Sequence, residues 1–227
     1  MVSLVTNQIF QKLNSLSLKI QNISCTEEEI LSIIMFSPTW EHEMAVNILN
    51  IVKKDEQKSQ PRPIMVGVVG MPGSGKTTSS NILASTLQTK YKISCVVIPM
   101  DGYHFSISKL KAMKDPEDVI YRRGAPDTFD AELLRNDLKT IKNGSGNEKS
   151  IPGFDHQIGD PSPDQHLFKR NLHRVVIVEG LYLLHEDEKF GWHGIKVGFS
   201  SLSNNTIKNC NYYLVFGDIM TSLLNFL

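Results

Sequence analysis

Neither sign of charge predominates in this chain of 227 residues: Lys plus Arg and Asp plus Glu stand at 24 each. A protein that holds a polyanion or an acidic membrane surface uses a basic excess, so the balance argues against nucleic-acid and membrane partners. An aromatic–basic repeat of the kind that grips single strands is also missing. Cysteine is scarce: Cys25, Cys95 and Cys210 lie far apart and form neither a zinc pattern nor a disulfide framework. The seven histidines include no H-E-x-x-H or similar ligand spacing, which removes zinc from the expectations. Residues 1–20 lack a basic stretch leading into a continuous apolar run, so no secretory signal is read there. Without one, the Asn-x-Ser/Thr triplets at Asn22, Asn143 and Asn204 carry no weight. The expected setting is reducing and cytoplasmic, with an organelle left open.

What is present is a globular composition, 41% apolar and 21% charged, and one stretch that carries chemistry. Gly70-Met71-Pro72-Gly73-Ser74-Gly75-Lys76-Thr77 satisfies every fixed position of G-x-x-x-x-G-K-[ST]. It follows the apolar run Ile64–Val69 and precedes a helix-like stretch over residues 78–91, opened by Thr78. Strand, loop and helix is the setting the motif needs. Glycines let the backbone come close to phosphate and take dihedrals that a β-carbon resists. Successive N–H groups and the helix N-terminus then face the phosphate oxygens. Lys76 would reach the β- and γ-phosphates and the Thr77 hydroxyl would hold Mg²⁺. The stretch therefore predicts a nucleoside triphosphate site.

Three segments follow from the pattern. Residues 1–60 read as a helical extension and linker. Thr26 and Glu29 have capping-box spacing, the helical pattern resumes over residues 40–52 after Pro38, and residues 53–62 are polar. Residues 61–195 read as the core. Its strands are Ile64–Val69, residues 94–99 and residues 174–178. Its helices are residues 78–91, with Ile82, Leu83 and Leu87 inward, a start capped by Asp115 before Pro116, and residues 130–141. Asp130 would cap that last helix, with Leu133, Leu134, Leu138 and Ile141 on its apolar side. Residues 151–163, rich in Pro, Gly and Asp, read as a loop. Strands separated by helices give an α/β fold with a parallel sheet. Residues 196–227 are an atypical tail, Ser/Asn-rich and then apolar.

Asp101 and Glu179 each follow an apolar strand, where ligands of such folds gather. Phosphoryl transfer needs a carboxylate for the acceptor hydroxyl and oxygen ligands near Mg²⁺, and two acids could divide those tasks or merely cap turns. Arg122 and Arg123 offer guanidinium groups to a substrate phosphate or sugar, or are ordinary surface arginines. His104 and His156 could hydrogen-bond a polyhydroxyl substrate or simply pack their loops.

In combination with the phosphate loop, further blocks resemble the phosphoribulokinase/uridine kinase family on its pantothenate-kinase-like side. Within it the chain is especially similar to a fungal branch of ATP-dependent kinases, some of them uridine kinase-like. The blocks are Ile98-Pro99-Met100-Asp101-Gly102-Tyr103-His104-Phe105, Arg122-Arg123-Gly124-Ala125-Pro126-Asp127-Thr128-Phe129-Asp130, Pro152-Gly153-Phe154-Asp155-His156, Asp160-Pro161-Ser162-Pro163 and Val176-Ile177-Val178-Glu179-Gly180-Leu181-Tyr182-Leu183-Leu184. The resemblance covers residues 64–193. It implies a P-loop kinase fold that uses ATP and Mg²⁺. Lys76, Asp101 and Glu179 would be catalytic, and Gly70 to Thr78 would bind the nucleotide. Thr77 and Glu179 would lie on the metal side. Asp101, Tyr103, His104, Arg122, Arg123, Phe154, Asp155 and His156 would line the acceptor site. The family acts on nucleosides, pantothenate and sugar-like alcohols, so the implied partner is a small-molecule acceptor; a homodimer stays open.

The resemblance stops after Trp192-His193. The expected further strand and arginine-bearing lid are replaced by a stretch whose charged residues are Lys196, Lys208 and Asp218. The expectation is a truncated or alternatively spliced core, less stable and less active than a complete one, or a nucleotide-binding regulatory form. Tyr212–Phe216 has the composition of a strand that could cover the open sheet edge, but it brings no arginine. The tail is too short, and too interrupted by Asp218, for a bilayer span.

Overall fold

The computed structural model describes residues 40–193 and 212–216. The expectations for residues 1–39, and those resting on Lys196, Lys208 and Asp218, lie outside the described residues.

In chain order the elements are α1 (Trp40–Glu56), β1 (Ile64–Val69), α2 (Lys76–Tyr91), β2 (Cys95–Pro99), α3 (Ile107–Lys111), α4 (Pro116–Tyr121), α5 (Ala131–Asn143), β3 (Glu148–Asp155), β4 (Asp160–Lys169), β5 (Val175–Gly180), β6 (Glu186–Asp187), β7 (Trp192–His193) and β8 (Tyr212–Phe216). A parallel sheet runs in the order β2-β5-β1-β8. β1 and β5 are buried along their whole length. A strand covered on both faces needs no polar face, which is why these two segments read as near-continuous apolar runs.

Side-chain direction still alternates along each strand. Ile64, Val66, Val68, Val175 and Ile177 meet Ala45, Ile48 and Val52 of α1 and Leu83 and Leu87 of α2. Met65, Val69, Val176 and Val178 meet Leu134, Leu138 and Ile141 of α5 and Ile151 and Phe168 of the β3–β4 ribbon. Each such side chain contributes about 1.5–3 kcal/mol on burial, so the sheet and its two covering layers carry the fold. The terminal strand β8 lies beside β1, with Met65 opposite Tyr212 and Val69 opposite Phe216. That edge of β1 is thereby hydrogen-bonded.

Several local readings need correction. Residues 151–163 are not a loop. They belong to the antiparallel ribbon β3–β4, whose pairing is irregular between Ile151 and Gly153. A two-stranded ribbon leaves each strand one free edge, where a proline's missing N–H is tolerated. Ile82 and Leu133 are 42% and 43% exposed, while Leu83, Leu87, Leu134, Leu138 and Ile141 are buried. A neighbouring residue on a helix points roughly 100° away, so the contact stripe on a flat sheet is narrower than the apolar stretch. Asp115 precedes α4 in the left-handed region at φ 56° and makes no side-chain cap, whereas Asp130 accepts from the Leu133 N–H at 2.9 Å and caps α5.

The polar stretch 53–62 is half helix. Within it Asp55 is buried and accepts from Lys58 Nζ at 2.8 Å, the Arg62 N–H at 2.8 Å and Arg174 Nη2 at 3.3 Å. Arg62 leads into β1 and Arg174 into β5, so this carboxylate ties α1 to the amino end of the sheet. Cys95 is partly buried in β2, and burial pushes its thiol up to about 11. Among the described residues no helix is long and apolar enough to cross a membrane.

Candidate functional site

Strand register assembles the site before any side chain is considered. Glu179 of β5 stands opposite Val68 of β1 and Pro99 of β2. The phosphate loop starts just beyond β1, and Asp101 lies just beyond β2. All three therefore share the carboxyl end of the sheet, where parallel α/β folds place their ligands.

Glu179 has the parity of Val175 and Ile177, so its side chain turns toward the α2 layer. There Thr77, in the first turn of α2, donates to Glu179 Oε1 at 2.8 Å. Burial holds the Glu179 carboxyl above its ordinary range. The charge of Asp101 adds to the rise, while the Thr77 hydrogen bond and Lys76 oppose it.

The loop geometry suits phosphate. Gly73 and Gly75 take φ of 75° and 83°, values strained for any residue with a β-carbon. Gly70 lies close under the Ser74 hydroxyl, which a Cβ there would push aside. Lys76 Nζ donates to the Met71 carbonyl at 3.0 Å, so the ammonium group folds over the loop. Ser74 Oγ is buried without a partner. A loop turned by left-handed glycines, a 16-residue helix behind it, a lysine and an unpartnered hydroxyl together fit a polyphosphate. Met71 and Pro72 are exposed on the loop, and Thr78 is exposed on α2. Thr77 and Glu179 offer the hard oxygen donors that Mg²⁺ prefers. Among the described residues no group of three or more His, Cys, Asp or Glu could hold a metal ion. Mg²⁺ here would complete its shell from phosphate and water, as it commonly does.

Asp101 is exposed in the 3₁₀ turn Met100–Tyr103. That turn is gripped on two sides. A Cβ at Gly180 would collide with the Met100 side chain, and one at Gly102 with the Pro152 carbonyl oxygen of the ribbon. His104 follows directly. Its Nδ1 lies 2.9 Å from the Asp101 carbonyl oxygen, and a carbonyl can only accept, so Nδ1 carries the hydrogen. The His104 ring packs 3.9 Å from the Phe129 ring and 5.1 Å from that of Phe154. Burial pushes its pKa down.

The other expected acceptor residues divide. Phe154 stacks near His104 and, at 5.1 Å, near the exposed His156. Arg123 donates to Asp160 Oδ1 at 2.8 Å, to the Phe105 carbonyl at 3.2 Å and to the Gly159 carbonyl, and lies 5.7 Å over Phe154. It clamps the ribbon turn to the segment after His104. Arg122 is bound by Asp118 at 2.8 Å and Asp127 at 2.7 Å. Tyr103 is buried, and its hydroxyl donates into the core to Asp137, at 3.1 Å. Asp137 also holds Lys149 at 2.8 Å. The Asp155 carboxylate caps its own turn, accepting from the Gln157 and Ile158 N–H groups at 2.8 and 3.2 Å. Residues 102–106 also edge a cleft of about 240 Å³ onto which Leu133 opens.

Lys76, Thr77, Glu179 and Asp101 thus cluster, with His104, Phe154 and Arg123 adjacent, while Tyr103, Asp155 and Arg122 are engaged elsewhere. Sequence reading missed the carboxylates that hold the arginines. The Asp118–Arg122 pair has i, i+4 spacing and could have been found; Asp160 lies 37 residues from Arg123 and gave no local signal.

The family model of the phosphoribulokinase/uridine kinase family matches residues 65–206, more than half of the chain. A Schizosaccharomyces pombe protein named, provisionally, as a uridine kinase is 40% identical over 128 residues, covering 56% of this chain and 54% of that protein. The ATP-dependent kinase YFH7 of Zygosaccharomyces rouxii is 40% identical over 118 residues, covering 41% and 31% respectively. The chain therefore spans roughly a third to a half of the length of these relatives. Among solved structures, a Silicibacter sp. TM1040 protein described provisionally as a fructose transport system kinase aligns with a TM-score of 0.54 and 31% identity, over 66% of this chain and 67% of that one. YFH7 of Saccharomyces cerevisiae aligns with a TM-score of 0.59 over 68% of this chain and 78% of that one, and at 22% identity this likeness shows the fold alone.

Proposed function

The chain belongs to the phosphoribulokinase/uridine kinase family, and on that premise we propose that it is an ATP-dependent kinase of a small molecule, with a nucleoside, a pantothenate-like compound or a sugar-like alcohol as acceptor. The observation that carries this reading is the Thr77–Glu179 hydrogen bond at the mouth of the phosphate loop, within charge range of the exposed Asp101. ATP supplies the phosphoryl group, and Mg²⁺ draws off charge on its oxygens. Lys76 and the loop amides hold the phosphates in place. Thr77 and Glu179 present the oxygens of the metal side. Asp101 aligns the acceptor hydroxyl and takes its proton as the new bond forms. The ribbon and the His104–Phe129–Phe154 stack build the acceptor wall and keep water from the transferring group.

The test is ATP turnover by the folded chain against a panel of nucleosides, pantothenate and sugars. ADP formation that depends on one class of acceptor supports the reading. Tight Mg–ATP binding with no acceptor-dependent ADP formation sinks it in favour of a nucleotide-binding regulator.

A further inference from the structure

An acceptor that brings its own phosphate or carboxylate has to be met by an unpaired cation, and a bidentate arginine serves best. Among the described residues, the cations around Asp101 are already in ion pairs. Arg122 lies between Asp118 and Asp127. Arg123, within charge range of His104, is bound through its Nη atoms by Asp160 and by two carbonyl oxygens, and its Nε is buried without a partner. Lys109 stands 3.6 Å from Asp130 and 3.7 Å over the Phe105 ring. Lys76 belongs to the phosphate loop. Against these stand the exposed Asp101 and the buried Glu179, both repelling an incoming anion.

His104 adds a positive selection. With Nδ1–H held by the Asp101 carbonyl, the neutral ring presents Nε2 as a lone pair. A lone pair accepts from a hydroxyl and offers nothing to an anionic oxygen, and burial favours that neutral ring. Phe129 backs the ring from the core, and the half-buried ring of Phe154 gives an apolar surface beside it.

We infer that the acceptor is a neutral polyhydroxyl compound carrying no phosphate or carboxylate of its own, an inference that rests on the kinase reading for the place where the acceptor sits. The experiment is calorimetric titration of the chain saturated with Mg–ADP, using matched pairs: ribose and its phosphate ester, uridine and its monophosphate, glycerol and glycerate. In at least one pair the neutral member binds about tenfold tighter or more, the discrimination expected of one uncompensated charge contact. Asp160→Asn keeps an acceptor for the Ile107 N–H but removes the charge that neutralises Arg123. Asp118→Asn together with Asp127→Asn does the same for Arg122. In whichever variant folds, the anionic member gains about tenfold. The inference is overturned if the anionic members bind wild type as tightly as the neutral ones, if no pair binds, or if folded variants show no gain. Neutral binding without phosphoryl transfer would leave it standing and sink the kinase reading; phosphorylation of an anionic member in preference to its neutral partner would do the reverse.

Discussion

Asp55 of α1, at the amino end of the sheet, and Glu179, at its carboxyl end, are both buried carboxylates, 1% and 5% exposed, yet they respond to burial in opposite ways. At the amino end, burial alone would raise the Asp55 pKa. Hydrogen bonds from Lys58, the Arg62 N–H and Arg174 outweigh that and hold it below the ordinary range. At the carboxyl end Glu179 accepts from Thr77, and burial with the nearby charge of Asp101 keeps its pKa raised. The amino end is satisfied within the chain. The carboxyl end holds an under-compensated carboxylate, an unpartnered Ser74 hydroxyl and two left-handed glycines. Such concentration of unmet polar demand marks a place prepared for a ligand.

The strongest way to break this contrast is to alter the carboxyl end alone. Asp101→Asn keeps size but loses basicity, and acceptor-dependent turnover falls about 10²- to 10⁴-fold. Because Asp101 is exposed, the thermal midpoint stays where it is. Turnover at the wild-type rate would remove Asp101 from the chemistry.

The opposite end answers in stability. Asp55→Ala strips the partner from Arg174 and Lys58 and costs about 2 kcal/mol, below the figure for fully buried pairs because both cations keep contact with water. A lowered pKa gives stability that is present above the unfolded value and is lost as pH falls through the folded one. Urea unfolding of wild type therefore weakens on acidification more steeply than that of the variant. Parallel pH profiles would show that Asp55 is not the tie.

A smaller effect separates loop shape from loop charge. Lys76→Ala leaves the glycines intact and weakens Mg–ATP binding by about tenfold or more, read by calorimetry. Equal affinities would mean that Lys76 only closes on the Met71 carbonyl.

The smallest effect has the opposite sign. A raised carboxyl pKa gives stability that is full below the unfolded value and is lost as pH rises through the folded one. Glu179→Gln keeps an acceptor for Thr77 and removes the buried charge, so it stabilises the fold at pH 7. The two curves converge near pH 4, about the ordinary glutamate value. Loss of stability at pH 7 would show that the charge is compensated in the fold.

How legible this was depended on the range of the forces involved. The phosphate loop was readable because its glycines, lysine and threonine act within eight consecutive residues. β1 and β5 were readable because burial on both faces makes them continuous apolar runs up to Glu179 at the end of β5. Tyr212–Phe216 showed the composition of a strand, but its place beside β1 is a matter of pairing, which composition does not encode. The ribbon was misread because its prolines and glycines signal a loop locally, while Ile151 and Phe168 pack it against the sheet from afar. Arg123 was assigned by its chemistry and Tyr103 by the family resemblance, whereas their directions are set by Asp160 and Asp137, both distant in the chain.

The two-sided grip on the turn that carries Asp101 works like a machinist's jig. Backbone presses from the ribbon at Gly102, and the end of β5 presses from the other flank at Gly180, and neither side leaves room for a methyl group. Alignment of the carboxylate with the phosphate loop is therefore set by Gly102 against the ribbon backbone and by Gly180 against the Met100 side chain. On the proposed acceptor wall, Phe154 and His156 take no part in that grip and can be exchanged to admit a different alcohol, whereas His104, whose Nδ1 donates to the Asp101 carbonyl, belongs to the tooling that points Asp101 at its target.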